Sequence, residues 1–215
     1  MSYECWIYTA ISVRAVTDSG NYIDSDINSD VERGWRMRAT QEQELACGYF
    51  FNGKPGYIAP RYMSIFINAF RPRASMEERY ADGKLGKYGK AIWTLLYESN
   101  KPLGWHEIRN KLGFKSVENN KVEIRKVEAA LKDLQMTFHV CICGGIDLTH
   151  SQTGKVYTTV LGYGTVDNWI PAAWMEANPP MEQKEALEVI YCQAERISKI
   201  GNAKKAFRGS LKGLS

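Results

Sequence analysis

Apolar and polar positions alternate with different periods along the 215-residue chain, and the changes of period mark its elements. Residues 1–17 have β-branched and aromatic character and predict a strand, followed by the turn-rich run "TDSGNYIDSDINSD". From Thr40 the text predicts a helix. Thr40 stands as N-cap with Gln43 three residues on, the spacing of a capping box, ahead of "ELACGYF", and the end falls near Asn52 and Gly53. "NGKPGYIAP" predicts a turn, and "PRYMSIFINAF" a helix that begins on Pro60 and puts Tyr62, Ile65, Phe66, Ala69 and Phe70 on one face. The polar, basic stretch "RPRASMEERYADGKLG" has Pro and Gly at its ends and reads as a boundary.

Three helical segments follow. "GKYGKAIWTLLYES" spaces Tyr88, Ile92, Leu95, Leu96 and Ser99 helically, and "KPLG" closes it. "WHEIRNKLGF" turns Trp105, Ile108 and Leu112 inward and stops at Gly113. "KVEIRKVEAALKDLQ" carries Ile124, Val127, Leu131 and Leu134 at i, i+3, i+7 and i+10. Then "TFHVCIC" and "KVYTTVL" alternate as strands around the loop "GGIDLTHSQTG". Helix, short helix, longer helix and hairpin is the order of a winged helix-turn-helix domain, with Lys121 to Gln135 as the recognition-type helix and Gly144 to Gly154 as the wing. A capped short helix in "TVDNWIPAAWMEANPP" and a closing helix in "MEQKEALEVIYCQAERISKI" complete the chain; the closing helix aligns Leu187, Ile190, Tyr191, Ala194 and Ile197. The fold class is therefore α+β. Residues 1–75 form an N-terminal α/β subdomain, 84–163 the winged helix-turn-helix core, 164–200 C-terminal helices packed on it, and 201–215 a flexible basic tail.

Composition changes this picture little, whereas charge placement sharpens it. A 44% hydrophobic and 24% charged content is ordinary for a globular protein. The apolar run at the N-terminus is broken by Thr9, Ser12 and Arg14 and reads poorly as a leader or membrane helix, so a cytoplasmic protein without membrane contact is expected. Five scattered cysteines suit reduced thiols. The net charge is +4, yet Lys199, Lys204, Lys205, Arg208 and Lys212 supply five of the 28 basic residues, leaving 23 against 24 acidic ones. Basic residues also concentrate between Arg61 and Lys90. A basic segment and tail on a neutral body fit local phosphate contact better than strong non-specific binding.

Two motifs invite chemistry. His139, Cys141 and Cys143 alternate, which on a strand aims all three at one face, with Phe138, Val140 and Ile142 on the other. A zinc site would need a partner motif such as CxxC, and none is present; buried structural thiols explain the pattern, and no metal, cofactor or catalytic residue is assigned. On the third helix, Lys121, Arg125, Lys126 and Lys132 are outward cations interleaved with Glu123, Glu128 and Asp133. With Lys155 beside the wing they are the candidate DNA-binding residues. Asn119 and Asn120 could read adenine edges or cap the helix.

"YFFNGKPGYIAP", "RYADGKLGKYGKAIWTLL" and "ALKDLQMTFHVCICGG" together resemble the AlkZ-related bacterial proteins, relatives of the AlkZ and YcaQ winged-helix DNA glycosylases, over about Trp35 to Trp174. The resemblance implies a winged-helix architecture and allows a degenerate second unit before Ser75. Those glycosylases excise alkylated or crosslinked bases with a motif of glutamine, an apolar residue, then glutamine or aspartate. Gln41 and Gln43 have that separation around the charged Glu42, and no catalytic role is carried over. Three functions follow: a non-enzymatic or catalytically reduced winged-helix protein binding double-stranded DNA, a glycosylase acting on alkylated or crosslinked bases with the aromatic N-terminal subdomain as its pocket, and a protein-docking winged helix.

Overall fold

"ACGYFF" is apolar at almost every position, and a short apolar run of this kind suits a strand buried on both faces as well as a helix. In the computed structural model, which describes residues 7–9, 37–51, 53–99, 101–116 and 118–197, it is a strand. The helix expected from Thr40 ends there instead. Helix α1, described over residues 37–41, has its Thr40 hydroxyl donating back to the Met37 carbonyl at 3.0 Å, and Gln43 takes a left-handed φ of 55°. Strands β2 (Ala46–Phe51) and β3 (Lys54–Ile58) then form a hairpin over Gly53, where only a turn was expected. Alternation sends Ala46 and Phe50 into one core and Cys47 into another.

Helix α2 (Pro60–Phe70) begins on its proline as expected and buries Ile65, Phe66, Ala69 and Phe70. The polar stretch after it contains a further helix, α3 (Met76–Ala81), capped by a reciprocal box between Ser75 and Glu78. The Ser75 hydrogen bonds hold the Glu78 carboxyl below its usual range. Then come α4 (Lys87–Glu98), β4 (Leu103–Gly104), α5 (Trp105–Lys111), a short 3-10 turn, α6 (Lys121–Met136), β5 (Val140–Thr149) and β6 (Val156–Thr165). Short helices α7 (Val166–Trp169) and α8 (Ala172–Met175) lead to α9 (Gln183–Ile197). Within α9, Ala186 and Ile190 are buried, while the side chains of Ala194 and Ile197 and the basic tail lie outside the described residues.

One antiparallel sheet unites the chain in the order β1-β3-β2-β5-β6-β4, with β1 at Ile7–Thr9. Cys141 and Cys143 face a core built with α2, α8 and α9, and Val140 faces the core of α4, α5 and α6. The wing strands run further than the sequence suggests. Gly144 and Gly145, expected in the loop, belong to β5, and the turn is confined to residues 150–155. Gly144 sits at a register shift with φ 114°, and a Cβ there would come within 2.7 Å of Gln41 Cβ. Only glycine lets α1 approach this closely.

Phe138 departs from the expected alternation. It belongs to the turn after α6, at a left-handed φ of 57°, and points into the same core as Cys141 and Cys143 because the strand starts only at Val140. Its ring stacks on Phe50 at 4.6 Å. Its carbonyl accepts from Arg71 Nε at 2.9 Å and from Nη2, while Arg71 Nη1 pairs with Asp167 at 2.6 Å. His139 beside it is 6% exposed, and among the described residues its Nε2 has no hydrogen-bond partner. Burial drives its imidazole down to about 3, and the Arg71 and Arg79 cations add to the effect.

Two outcomes test this junction. Arg71→Met should lower unfolding free energy by about 2 kcal/mol in urea titrations, the scale of lost charged hydrogen bonds, and a change below about 0.5 kcal/mol would contradict the clamp. The unfolded His139 imidazole binds a proton near 6.5 and the folded one only near 3, so stability present above about 6.5 is lost as pH falls through that window. His139→Leu should therefore flatten the pH dependence of the urea midpoint over this range, removing up to about 1.4 kcal/mol per pH unit; an unchanged slope would show that the histidine is charged in the fold.

Candidate nucleic-acid interface

The α6 helix is fixed before its cations are considered. Ile124, Val127, Leu131 and Leu134 bury its apolar face, and Gln135, 2% exposed, accepts from the Tyr49 amide at 3.2 Å and donates to Leu131 O. The only sequence signal of this buried amide is a glutamine beside the Leu131 and Leu134 stripe. At the other end Glu123 accepts from the Tyr88 hydroxyl of α4 and pairs with Lys126 at 2.7 Å. The Lys126 hydrogen bond, with that from Tyr88, lowers the Glu123 carboxyl, and Glu123 in turn raises the Lys126 ammonium.

Helical geometry sorts the exposed cations into two edges. At about 100° per residue, Lys121, Arg125 and Lys132 fall within about 40° of one another, with Glu128 flanking them, whereas Lys126 lies beside Asp133 across the exposed face. All four basic side chains are exposed. Lys132 leans on the β2–β3 hairpin: its Nζ is 5.6 Å from the Tyr49 ring, and a Cβ on Gly53 would come within 2.4 Å of its Cε. Lys126 instead serves the α4 side through Glu123. Helical spacing thus lines Lys121, Arg125 and Lys132 along one edge and puts Lys126 on the other.

Lys155 stands in the turn of the β5–β6 hairpin, where its carbonyl accepts from the His150 amide at 2.9 Å. Val156 and Tyr157 beside it are 53% and 57% exposed, and the Tyr157 and His150 rings approach to 4.7 Å. Exposed apolar side chains next to a cation at a hairpin tip are more informative than scattered ones. Asn120 is committed locally, donating to Ser116 O at 3.0 Å, and the Asn119 side chain lies outside the described residues. The basic stretch from Arg61 to Lys90 does not form one surface. Arg79 is buried, Arg71 is held by Asp167, Arg73 pairs with Glu182, and Lys84 and Lys87 point outward.

Cys141 and Cys143 thiols lie 4.0 Å apart in the core, and burial, reinforced by the Cys141 contact, pushes the Cys143 thiol far up, away from nucleophilic thiolate. Among the described residues no group of three His, Cys, Asp or Glu could hold a metal ion. Gln41 and Gln43 are both exposed at the end of α1, but Gln43 Nε2 donates to Trp169 O at 2.7 Å and ties this turn to α7. No described helix is long and apolar enough to cross a membrane.

No curated protein matches the chain. The solved structure of Streptomyces sahachiroi DNA glycosylase AlkZ is similar to it with a TM-score of 0.43 and 13% sequence identity, covering 81% of this chain and 49% of that one. The chain thus spans about half the length of that protein. A family model described as AlkZ related matches residues 4–208, which is nearly the entire sequence. The chain belongs to the AlkZ-related family.

Proposed function

We propose that the chain is a winged helix-turn-helix protein of DNA repair that binds double-stranded DNA, with residues 84–163 as the binding unit. The observation that carries this reading is the order α4, β4, α5, α6, β5, β6 with β4 hydrogen-bonded to β6, which supports a three-helix unit closed by its wing. In this reading α6 enters the major groove. Lys121, Arg125 and Lys132 contact phosphates on one edge, Lys126 is held back by Glu123, and Lys155 reaches the backbone from the wing. Lysine and arginine contacts of this type position the protein, and their strength falls steeply with salt.

A base-excising activity is the second reading, favoured by family membership; Gln41 and Gln43 are exposed on one turn, with the Gln43 amide donating to Trp169 O. Water would replace the base at the sugar carbon after the nucleotide is extruded.

Each reading has its own assay. For duplex binding, anisotropy of a labelled duplex against salt should give a log–log slope that falls by about 0.9 in Arg125→Ala and less in Lys126→Ala. Absence of duplex binding near 50 mM salt would sink this reading. For excision, alkylated duplex should show alkali-labile sites after incubation with the protein, lost in Gln43→Ala, and intact strands with the unmodified protein would exclude the activity on that lesion class.

A further inference from the structure

On the side of α4 turned away from the core, a groove of about 450 Å³ runs between α3, α4 and the C-terminal end of α5. Ala91 and Leu95 supply apolar surface to it, and Lys87, Lys90 and Lys111 bring three positive charges against Glu98 in its lining and Glu123, which is close enough to Lys87 to interact with it. Tyr80 lines it as well and is 42% exposed. Lys90 Nζ sits 4.5 Å from the centre of the Tyr80 ring, a contact that holds the ring at the groove while leaving much of it open. Lys87 Nζ lies 4.7 Å from the Tyr88 ring, so both lysines rest on aromatic faces.

This combination selects its ligand. An excess of cations over carboxylates favours a polyanion, and the aromatic ring with apolar surface beside it favours one that also carries flat apolar groups. A duplex keeps its bases stacked inside and offers this recess only phosphates. A single strand offers both, which is the recognition chemistry of sequence-tolerant single-strand binding surfaces. The recess is separate from the Lys121, Arg125 and Lys132 edge of α6, because Glu123 and Lys126 stand at the α4 side of that helix.

We infer that the groove binds a single-stranded nucleic-acid segment, with phosphates on Lys87, Lys90 and Lys111 and a base against Tyr80. The inference rests on the groove's own chemistry and does not require the duplex reading. The double substitution Lys87→Glu with Lys90→Glu should weaken binding of a labelled oligothymidylate of about ten nucleotides at least about tenfold, measured by anisotropy on the full chain, while duplex affinity changes less than about threefold. Lys111→Glu, on a different helix, should act in the same direction and guards against a folding defect, which circular dichroism checks directly. Tyr80→Ala should cost about fivefold or more for one lost stacking contact, and Tyr80→Phe should behave as the unmodified protein.

Arg125→Glu separates the two sites: it should reduce duplex binding and leave oligothymidylate binding intact. No oligothymidylate binding, unchanged affinity in both lysine variants, or equal loss in Arg125→Glu would each overturn the inference. So would a Tyr80→Ala protein with full affinity whose bound oligonucleotide is displaced by inorganic polyphosphate, since that surface would read charge alone.

Discussion

The turn between α6 and β5 sets the position of the cation-bearing helix relative to the sheet. Phe138 holds a left-handed backbone that a bulky residue adopts at a cost of about 1–3 kcal/mol. Complete burial of its ring offsets about as much, at roughly 2–3 kcal/mol, and Arg71 adds hydrogen bonds to its carbonyl. The same ring stacks on Phe50 of β2 and lies 6.0 Å from both Phe66 and Phe70 of α2. One residue therefore joins the end of α6, the central strands and helix α2.

From this junction the other restraints on α6 follow in sequence. Gln135 ties its last turns to β2, Lys132 rests over the β2–β3 hairpin, and Glu123 fastens its first turn to α4 through Tyr88. A helix held at both ends presents its outward side chains from a fixed backbone, so binding would lose less conformational freedom than a mobile segment would. The same restraint divides the cations. Glu123 draws Lys126 toward α4, while Lys121, Arg125 and Lys132 are exposed along the other edge.

Much of this was legible where periodicity and punctuation agreed. The helices around Tyr62 to Phe70, Tyr88 to Ser99 and Ile124 to Leu134, and the alternation from Val140 onward, follow from side-chain spacing alone. The strand at Ala46–Phe51 is not legible, because a six-residue apolar run has no period that separates helix from strand and because Thr40 and Gln43 match a capping box without forming one. The true box, Ser75 with Glu78, sits inside a stretch whose Pro and Gly ends suggest a domain boundary. Phe138 could not be placed by alternation, since its orientation is set by tertiary packing against Phe50 and Arg71. The candidate cations were legible as residues, but their division into two edges depends on Glu123 and Tyr88 meeting across two helices. The groove at Tyr80 was hidden for a similar reason, although Lys87 and Lys90 stand one helical turn apart.

The most direct test of the α6 edge is a nuclear magnetic resonance titration of the full chain with a short DNA duplex. Amide shifts are expected at Lys121, Arg125 and Lys132 and in the hairpin turn at residues 150–155, with little change at Lys87 and Lys90. Shifts confined to other surfaces, with α6 silent at saturating duplex, would contradict the assignment of this helix as the DNA-binding element.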